Sequence, residues 1–190
     1  HILNMLNVKY VLTRKKINNP NFIPIKGNPG IYENKNVLPK SWIVGNITSV
    51  KNQRGSLMKT LLTSFDPSSM AVVVNYEGPD LPDKVSGFTK VISRSENKIE
   101  LESQSKTGGL LVLSEIFYNP GWKVTVNNNE RRIYQTNHIL RSVIIPSGKS
   151  NIVFEYDNGD WKKTRILSRV SLFTVLLLMG ISFWREKSKP

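Results

Sequence analysis

The side chains of this sequence best suited to chemistry are aromatic and polar, not nucleophilic. Trp42, Tyr118, Trp122 and Tyr134 offer flat faces on which the C–H groups of a sugar ring can pack, and the sugar's hydroxyls would then need Asn, Arg or Glu partners. Asn119, Asn137 and Arg141 lie near these aromatics in sequence. Tyr118, Trp122, Asn137 and Arg141 therefore make a candidate glycan-binding platform. Two competing roles stand beside it. Trp122 alternates with Val124 and Val126, which puts it on their face and makes it a core residue. Arg141 has the alternative of pairing with a carboxylate. Tyr118, where a strand meets a turn, is the better placed of the two aromatics.

Catalytic patterns are missing. The two histidines, His1 and His138, belong to no H-E-x-x-H motif, there is no cysteine, and no Asp/Glu cluster has metal-ligand spacing. No catalytic residue, metal site or cofactor is expected. Glu115 and the pair Asp157 and Asp160 around Gly159 are the nearest approach to a hydrolytic carboxylate pair, but acidic residues at turns are ordinarily turn formers. Gly108-Gly109 and Asn28-Pro29-Gly30 lack the strand-to-helix context of a phosphate cradle. Asn46-Ile47-Thr48 matches an N-glycosylation acceptor only in pattern.

The elements that must position these residues are strands. Turn signals at Gly108-Gly109, Asn119-Pro120-Gly121, Asn127-Asn128-Asn129, Asn137-His138, Pro146-Ser147-Gly148 and Asn158-Gly159 interrupt short apolar or β-branched runs. They predict strands over Leu110 to Phe117, Trp122 to Val126, Arg131 to Gln135, Ile139 to Ile145 and Asn151 to Tyr156. Ala71 to Tyr76, Phe88 to Ser93 and Lys98 to Ser103 supply the other half of a sandwich. Leu57, Leu61 and Leu62 fall on one face of a helix predicted over Ser56 to Ser64, stopped by Pro67 and capping an end of the sandwich. His1 to Leu12 reads as a helical turn running into a strand, and Ile31 to Asn34 and Ser41 to Val44 as short strands. The fold class is mainly β: an antiparallel, jelly-roll-like β-sandwich with one short helix, followed by a single C-terminal transmembrane helix. The expected organisation is an N-terminal segment, residues 1–50, joining the sandwich; the sandwich, 51–160; and the helix with its basic flanks, 161–190.

That last helix rests on Val170 to Trp184, which carries no charge between Lys162, Lys163, Arg165 and Arg169 on one side and Arg185, Lys187 and Lys189 on the other. A span needs roughly 20 apolar residues, which Ile166 to Trp184 approaches if Arg169 snorkels to the headgroups. The alternative is a buried core helix. The chain opens at His1 with no leader-like run, so it reads as the tail of something longer.

The net charge of +13 and pI near 10.0 suggest nucleic acid, but the distribution argues against it. Residues 162–190 hold seven Lys or Arg against one Glu, a bias suited to anionic headgroups. Elsewhere the cations are scattered apart from Arg14-Lys15-Lys16 and Arg131-Arg132, with no nucleic-acid-binding motif. Membrane lipids are the expected partner, and nucleic acid is not.

Several motifs occur in one order: Leu6-Asn7-Val8-Lys9-Tyr10-Val11-Leu12; Tyr32-Glu33-Asn34 with Leu38-Pro39-Lys40-Ser41-Trp42; Phe65-Asp66-Pro67; Leu113 to Trp122, ending in Asn119-Pro120-Gly121-Trp122; Asn137-His138-Ile139-Leu140-Arg141; and Ile145-Pro146-Ser147-Gly148-Lys149 before Phe154-Glu155-Tyr156. In this order they resemble the C-terminal region of the bacterial YfhO family over nearly the whole chain. The family resembles polytopic GT-C-type glycosyltransferases that use lipid-linked sugars. The resemblance implies an extracytoplasmic β domain ahead of a last helix in the bacterial cytoplasmic membrane. Lipid-linked sugar or envelope glycan and the rest of the parent membrane protein would then be partners. The acidic catalytic residue it implies belongs to an early external loop with no counterpart here. A second reading is a structural or protein-interaction module that touches no sugar. The cations near the span, four on the domain side against three on the tail side, slightly oppose the implied orientation.

Overall fold

The computed structural model describes residues 1–118, 120–157 and 159–187, and forms two compact units, His1–Tyr156 and Asp157–Pro190. The first is mainly β, with two larger sheets and one small one. A six-stranded sheet contains β4 (Ser41–Val44), β5 (Asn46–Val50), β6 (Met70–Val74), β9 (Gly109–Ile116), β12 (Tyr134–Thr136) and β13 (Leu140–Ile145), in the order β4-β9-β13-β12-β6-β5. A five-stranded sheet contains β7 (Gly87–Arg94), β8 (Lys98–Ser105), β10 (Trp122–Val126), β11 (Asn129–Arg131) and β14 (Gly148–Tyr156), in the order β11-β10-β14-β8-β7. Pairing is antiparallel except between β5 and β6, which run parallel.

The period of two along each strand explains how the sheets stack. On β9, Leu111 and Leu113 join Val143 and Ile145 against Ile99, Leu101, Val124, Val126, Ile152 and Phe154 of the five-stranded sheet. Leu110 and Val112 point the other way, into a second cluster with Val44, Ala71, Val73, Leu140, Phe65 and Met5. The run from Gly109 to Ser114 is therefore buried throughout, as befits a strand covered on both faces.

The second cover comes from the N-terminal segment. Helix α1 (Ile2–Met5) supplies Met5 and leads to a separate small sheet, β1 (Tyr10–Leu12), β2 (Phe22–Pro24) and β3 (Ile31–Asn34), ordered β1-β3-β2. Trp42 on β4 donates its indole N–H to the Pro67 carbonyl at 2.7 Å, so two of the ordered motifs meet in one buried contact.

Three expectations need correction. The helix α2 spans Gln53–Thr60 and buries Ser56 and Thr60, while Leu57, Leu61 and Leu62 face outward. Its start is set by Asn52, whose side-chain oxygen accepts from the Gly55 amide at 2.9 Å, and Ser56 Oγ accepts from the His138 amide at 3.0 Å. Those two polar contacts turn the small residues inward. The expected strand from Arg131 to Gln135 is broken at Arg132 and Ile133, because the chain there leaves one sheet (β11) for the other (β12). Strands β2 and β5 were not expected at all.

The second unit is α3 (Gly159–Lys187). Its stretch Lys163–Ile181 has a mean hydropathy of 1.6 and no buried residue, and is long and apolar enough to cross a membrane. Nineteen residues rise about 28 Å, close to the thickness of a hydrocarbon core. Two hydroxyls within it are satisfied locally: Ser171 donates to the Leu167 carbonyl at 3.0 Å and Thr174 to the Val170 carbonyl at 2.9 Å.

Candidate functional site

The passage from β11 to β12 builds the site. Because Arg131 to Tyr134 crosses from one sheet to the other, it leaves a cleft on each side of itself. The first, about 380 Å³, is lined by Asn75, Phe117, Trp122, Lys123, Glu130, Arg131, Arg132, Tyr134 and Gln135, among others. The second, about 580 Å³, lies between the same crossing and the segments Glu77 to Pro82 and Thr107 to Gly109.

Trp122 is the pivot of the first cleft. It opens β10 opposite Tyr156 on β14, with ring centroids 5.7 Å apart, and is half-buried at the edge of the inter-sheet core. Its ring carries the Arg141 guanidinium, whose Cζ is 4.2 Å from the ring centroid and 5.9 Å from that of Phe154. Arg141 is only 4% exposed. It donates from Nη2 to the Ile116 carbonyl at 2.8 Å, and its Nε and Nη1 have no partner. Burial pushes this guanidinium down from its ordinary range, and the Glu115 charge pulls it partly back. Among the described residues Arg141 thus forms no carboxylate pair. Glu115 bonds instead to Lys40 and Arg94, each at 2.8 Å.

A bulge makes room for this. Leu140 pairs with Ile116 but Arg141 pairs with Leu113, so Ser114 and Glu115 are extra residues on β9. Ser114 uses its amide on the Lys40 carbonyl at 2.9 Å. Glu115 is held between Lys40 and Arg94, tying β9 to the far end of β7.

Tyr118 is 56% exposed and lies beside Phe117, not in the cleft lining. Asn137 is fully buried away from the cleft: its side-chain oxygen accepts from the Val72 amide at 2.9 Å, its own amide donates to the Val72 carbonyl at 2.8 Å, and its Nδ2 is unpartnered. The fold therefore brings Trp122 and Arg141 together and leaves Tyr118 and Asn137 apart from them. Asn119 lies outside the described residues. Asp157 accepts from the Gly159 amide at 2.9 Å, as a turn former does, and the side chain of Asp160 is outside the described set.

Beside Trp122 the cleft brings in Arg131 and Arg132, read from the sequence only as a cation pair, together with Tyr134. Arg132 pairs with Glu77 and lies 5.1 Å from the Tyr134 ring centroid, and Arg131 is exposed. Tyr76 packs on Tyr134 at 5.4 Å, and burial, with Tyr134 and Asp80 nearby, raises its phenol above the usual value. Arg131-Arg132 two residues before Tyr134 was the available signal. Such a surface can bind an oxygen-rich ligand by ring stacking and hydrogen bonding. Among the described residues there is no group of three His, Cys, Asp or Glu able to hold a metal ion.

No curated protein and no solved structure matches the chain. The family comparison does find a match, and the motifs from Leu6 to Pro67 lie outside it, so it is narrower than the motif order implied. Residues 83–159, which carry the Pro-Gly-Trp turn, the bulged β9, Trp122 and Arg141, match the family of bacterial membrane protein YfhO.

Proposed function

We propose that the β unit is the accessory extracytoplasmic domain of a lipid-linked-sugar glycosyltransferase acting on cell-envelope glycans, and that it holds a saccharide in the Trp122 cleft. The family match and the membrane-competent α3 support a membrane parent. The observation that carries the saccharide reading is the cleft, where Trp122, Phe117 and Tyr134 rings stand among Asn75, Gln135 and Arg131. Ring faces with hydrogen-bonding side chains at their edges are what a carbohydrate surface requires. Tyr118 and Arg141 enter as neighbours, Arg141 by holding the Trp122 ring and Tyr118 by extending the aromatic surface beyond Phe117.

The test is a titration of the full chain in detergent micelles with cell-envelope glycans, following the indole N–H resonances. A shift of Trp122 that leaves buried Trp42 unmoved supports the platform. No shift at millimolar glycan would favour the second reading, a structural or interaction module, for which the packed Arg141–Trp122 pair is the supporting observation. The side of the membrane is tested separately, by a cysteine at exposed Asn128 in the full-length parent. Labelling by an impermeant thiol reagent on intact cells is the expected outcome, and labelling only after lysis would overturn the external placement.

A further inference from the structure

The leucines that the Asn52 and Ser56 hydrogen bonds leave outward at the end of α2 belong to neither hydrophobic cluster. Leu57 and Met58 on the helix are 37% and 62% exposed, and Leu61 and Leu62, in the turn that ends it, 55% and 47%, while the buried positions of the helix are Ser56 and Thr60. An apolar cluster of this kind on two consecutive turns is unusual on a water-facing surface and marks a contact site. Its charges are of one sign. From Lys51 to Phe65 the sequence contains Lys51, Arg54 and Lys59, all exposed, and no Asp or Glu. Behind Leu62 a cavity of about 190 Å³ opens inward, lined by Phe65, Met70 and Val72 together with Thr48, Lys59 and Ser64.

We infer that the segment from Lys51 to Leu62, α2 with its flanking turns, is a lipid-docking surface that rests on an anionic bilayer, Leu57, Met58, Leu61 and Leu62 entering the interfacial region and Lys51, Arg54 and Lys59 meeting headgroup phosphates. Exposed apolar side chains interspersed with cations attach a surface segment to an anionic membrane through the apolar area they bury and the charge they meet. A protein partner that buried the leucines would be expected to answer three cations with acids, whereas an anionic leaflet supplies that charge everywhere. The chain also carries its own tether: the span in α3 keeps the β unit at a membrane, so weak surface affinity suffices. This inference depends on the span in α3 and not on the saccharide reading.

The absence of cysteine allows a direct test in the full chain. An environment-sensitive fluorophore is attached to Leu61→Cys, or to Asn128→Cys as an exposed control, and the protein is placed in nanodiscs of phosphatidylglycerol or of phosphatidylcholine. The expected result is a blue shift at position 61 and roughly twofold less quenching by neutral acrylamide in phosphatidylglycerol than in phosphatidylcholine, with position 128 unchanged. Lys51→Gln, Arg54→Gln and Lys59→Gln together, all at exposed positions, should abolish that lipid dependence. Equal quenching at 61 in both lipids would overturn the inference. A blue shift that follows protein density instead of lipid charge would also overturn it, because a second copy would then be the occupant.

Discussion

The Arg141 guanidinium lies 4.2 Å from the centre of the Trp122 ring, joining β13 of one sheet to β10 of the other. A buried cation is costly unless its charge is met. Here one carbonyl, two aromatic faces and the more distant Glu115 meet it, without a direct carboxylate. The pair both closes the edge of the inter-sheet core and sets the pose in which Trp122 lines its cleft.

A double-mutant cycle measures that link. Arg141→Met and Trp122→Leu, alone and together, should give a coupling energy of about 1–2 kcal/mol in urea denaturation followed by near-UV circular dichroism. Arg141→Lys should not restore it, because an ammonium cannot stack its plane on the indole while reaching the Ile116 carbonyl. Additive effects of the two single changes would show that the ring and the guanidinium are merely adjacent.

Asn137 serves the fold through two separable properties. Its side-chain oxygen satisfies the buried Val72 amide, and its backbone sits at φ 48°, in the left-handed region. Asn137→Gly should cost about 1–3 kcal/mol for the stranded amide. Asn137→Ala should cost roughly 1 kcal/mol more, because alanine also strains the turn. Equal losses in the two variants, read from thermal or urea unfolding, would refute the backbone part of this account.

Asp66 should make stability depend on acid. Burial pushes its carboxyl up, but the hydroxyl and amide of Ser68 and the hydroxyl of Ser69 bond to it and together bring it below the ordinary value. A carboxyl depressed in the folded state stabilises above its unfolded pKa, about 3.9, and loses that contribution as pH falls through the lower folded value. The group is exposed, so the effect is at most about 1 kcal/mol. Wild type should exceed Asp66→Asn in stability near neutral pH, and the gap should shrink as the pH is taken below about 4. A gap independent of pH would contradict the assignment. The turn matters because Pro67, next to Asp66, accepts the Trp42 indole.

Much of the architecture was legible from local signals. Paired Asn residues at 127 and 128 marked a hairpin, and both adopt the positive φ such turns demand, 51° and 65°. Trp122 to Val126 is a strand in the bounds its alternation predicted, with Val124 and Val126 buried on the face Trp122 shares. The apolar run after Arg169 is helical, as its composition required. The candidate site was only half legible. Trp122 and Arg141 meet, while Asn137, adjacent to them in the motif order, is committed to Val72.

By itself the sequence determined which residues alternate, where the chain turns and which stretch can enter a membrane, because these depend on neighbours within a few residues. Only the tertiary structure decided what covers each face. The leucines of α2 have a helical spacing that suits burial equally well, but Asn52 and Ser56 fix the helix by hydrogen bonds that leave those leucines outside. Likewise the crossing at Arg132 and Ile133 breaks a strand-like run, since a chain that passes between two stacked sheets must leave both ladders. That passage opens the cleft beside Trp122, and its cause, the stacking of strands far apart in the chain, is written in no local pattern.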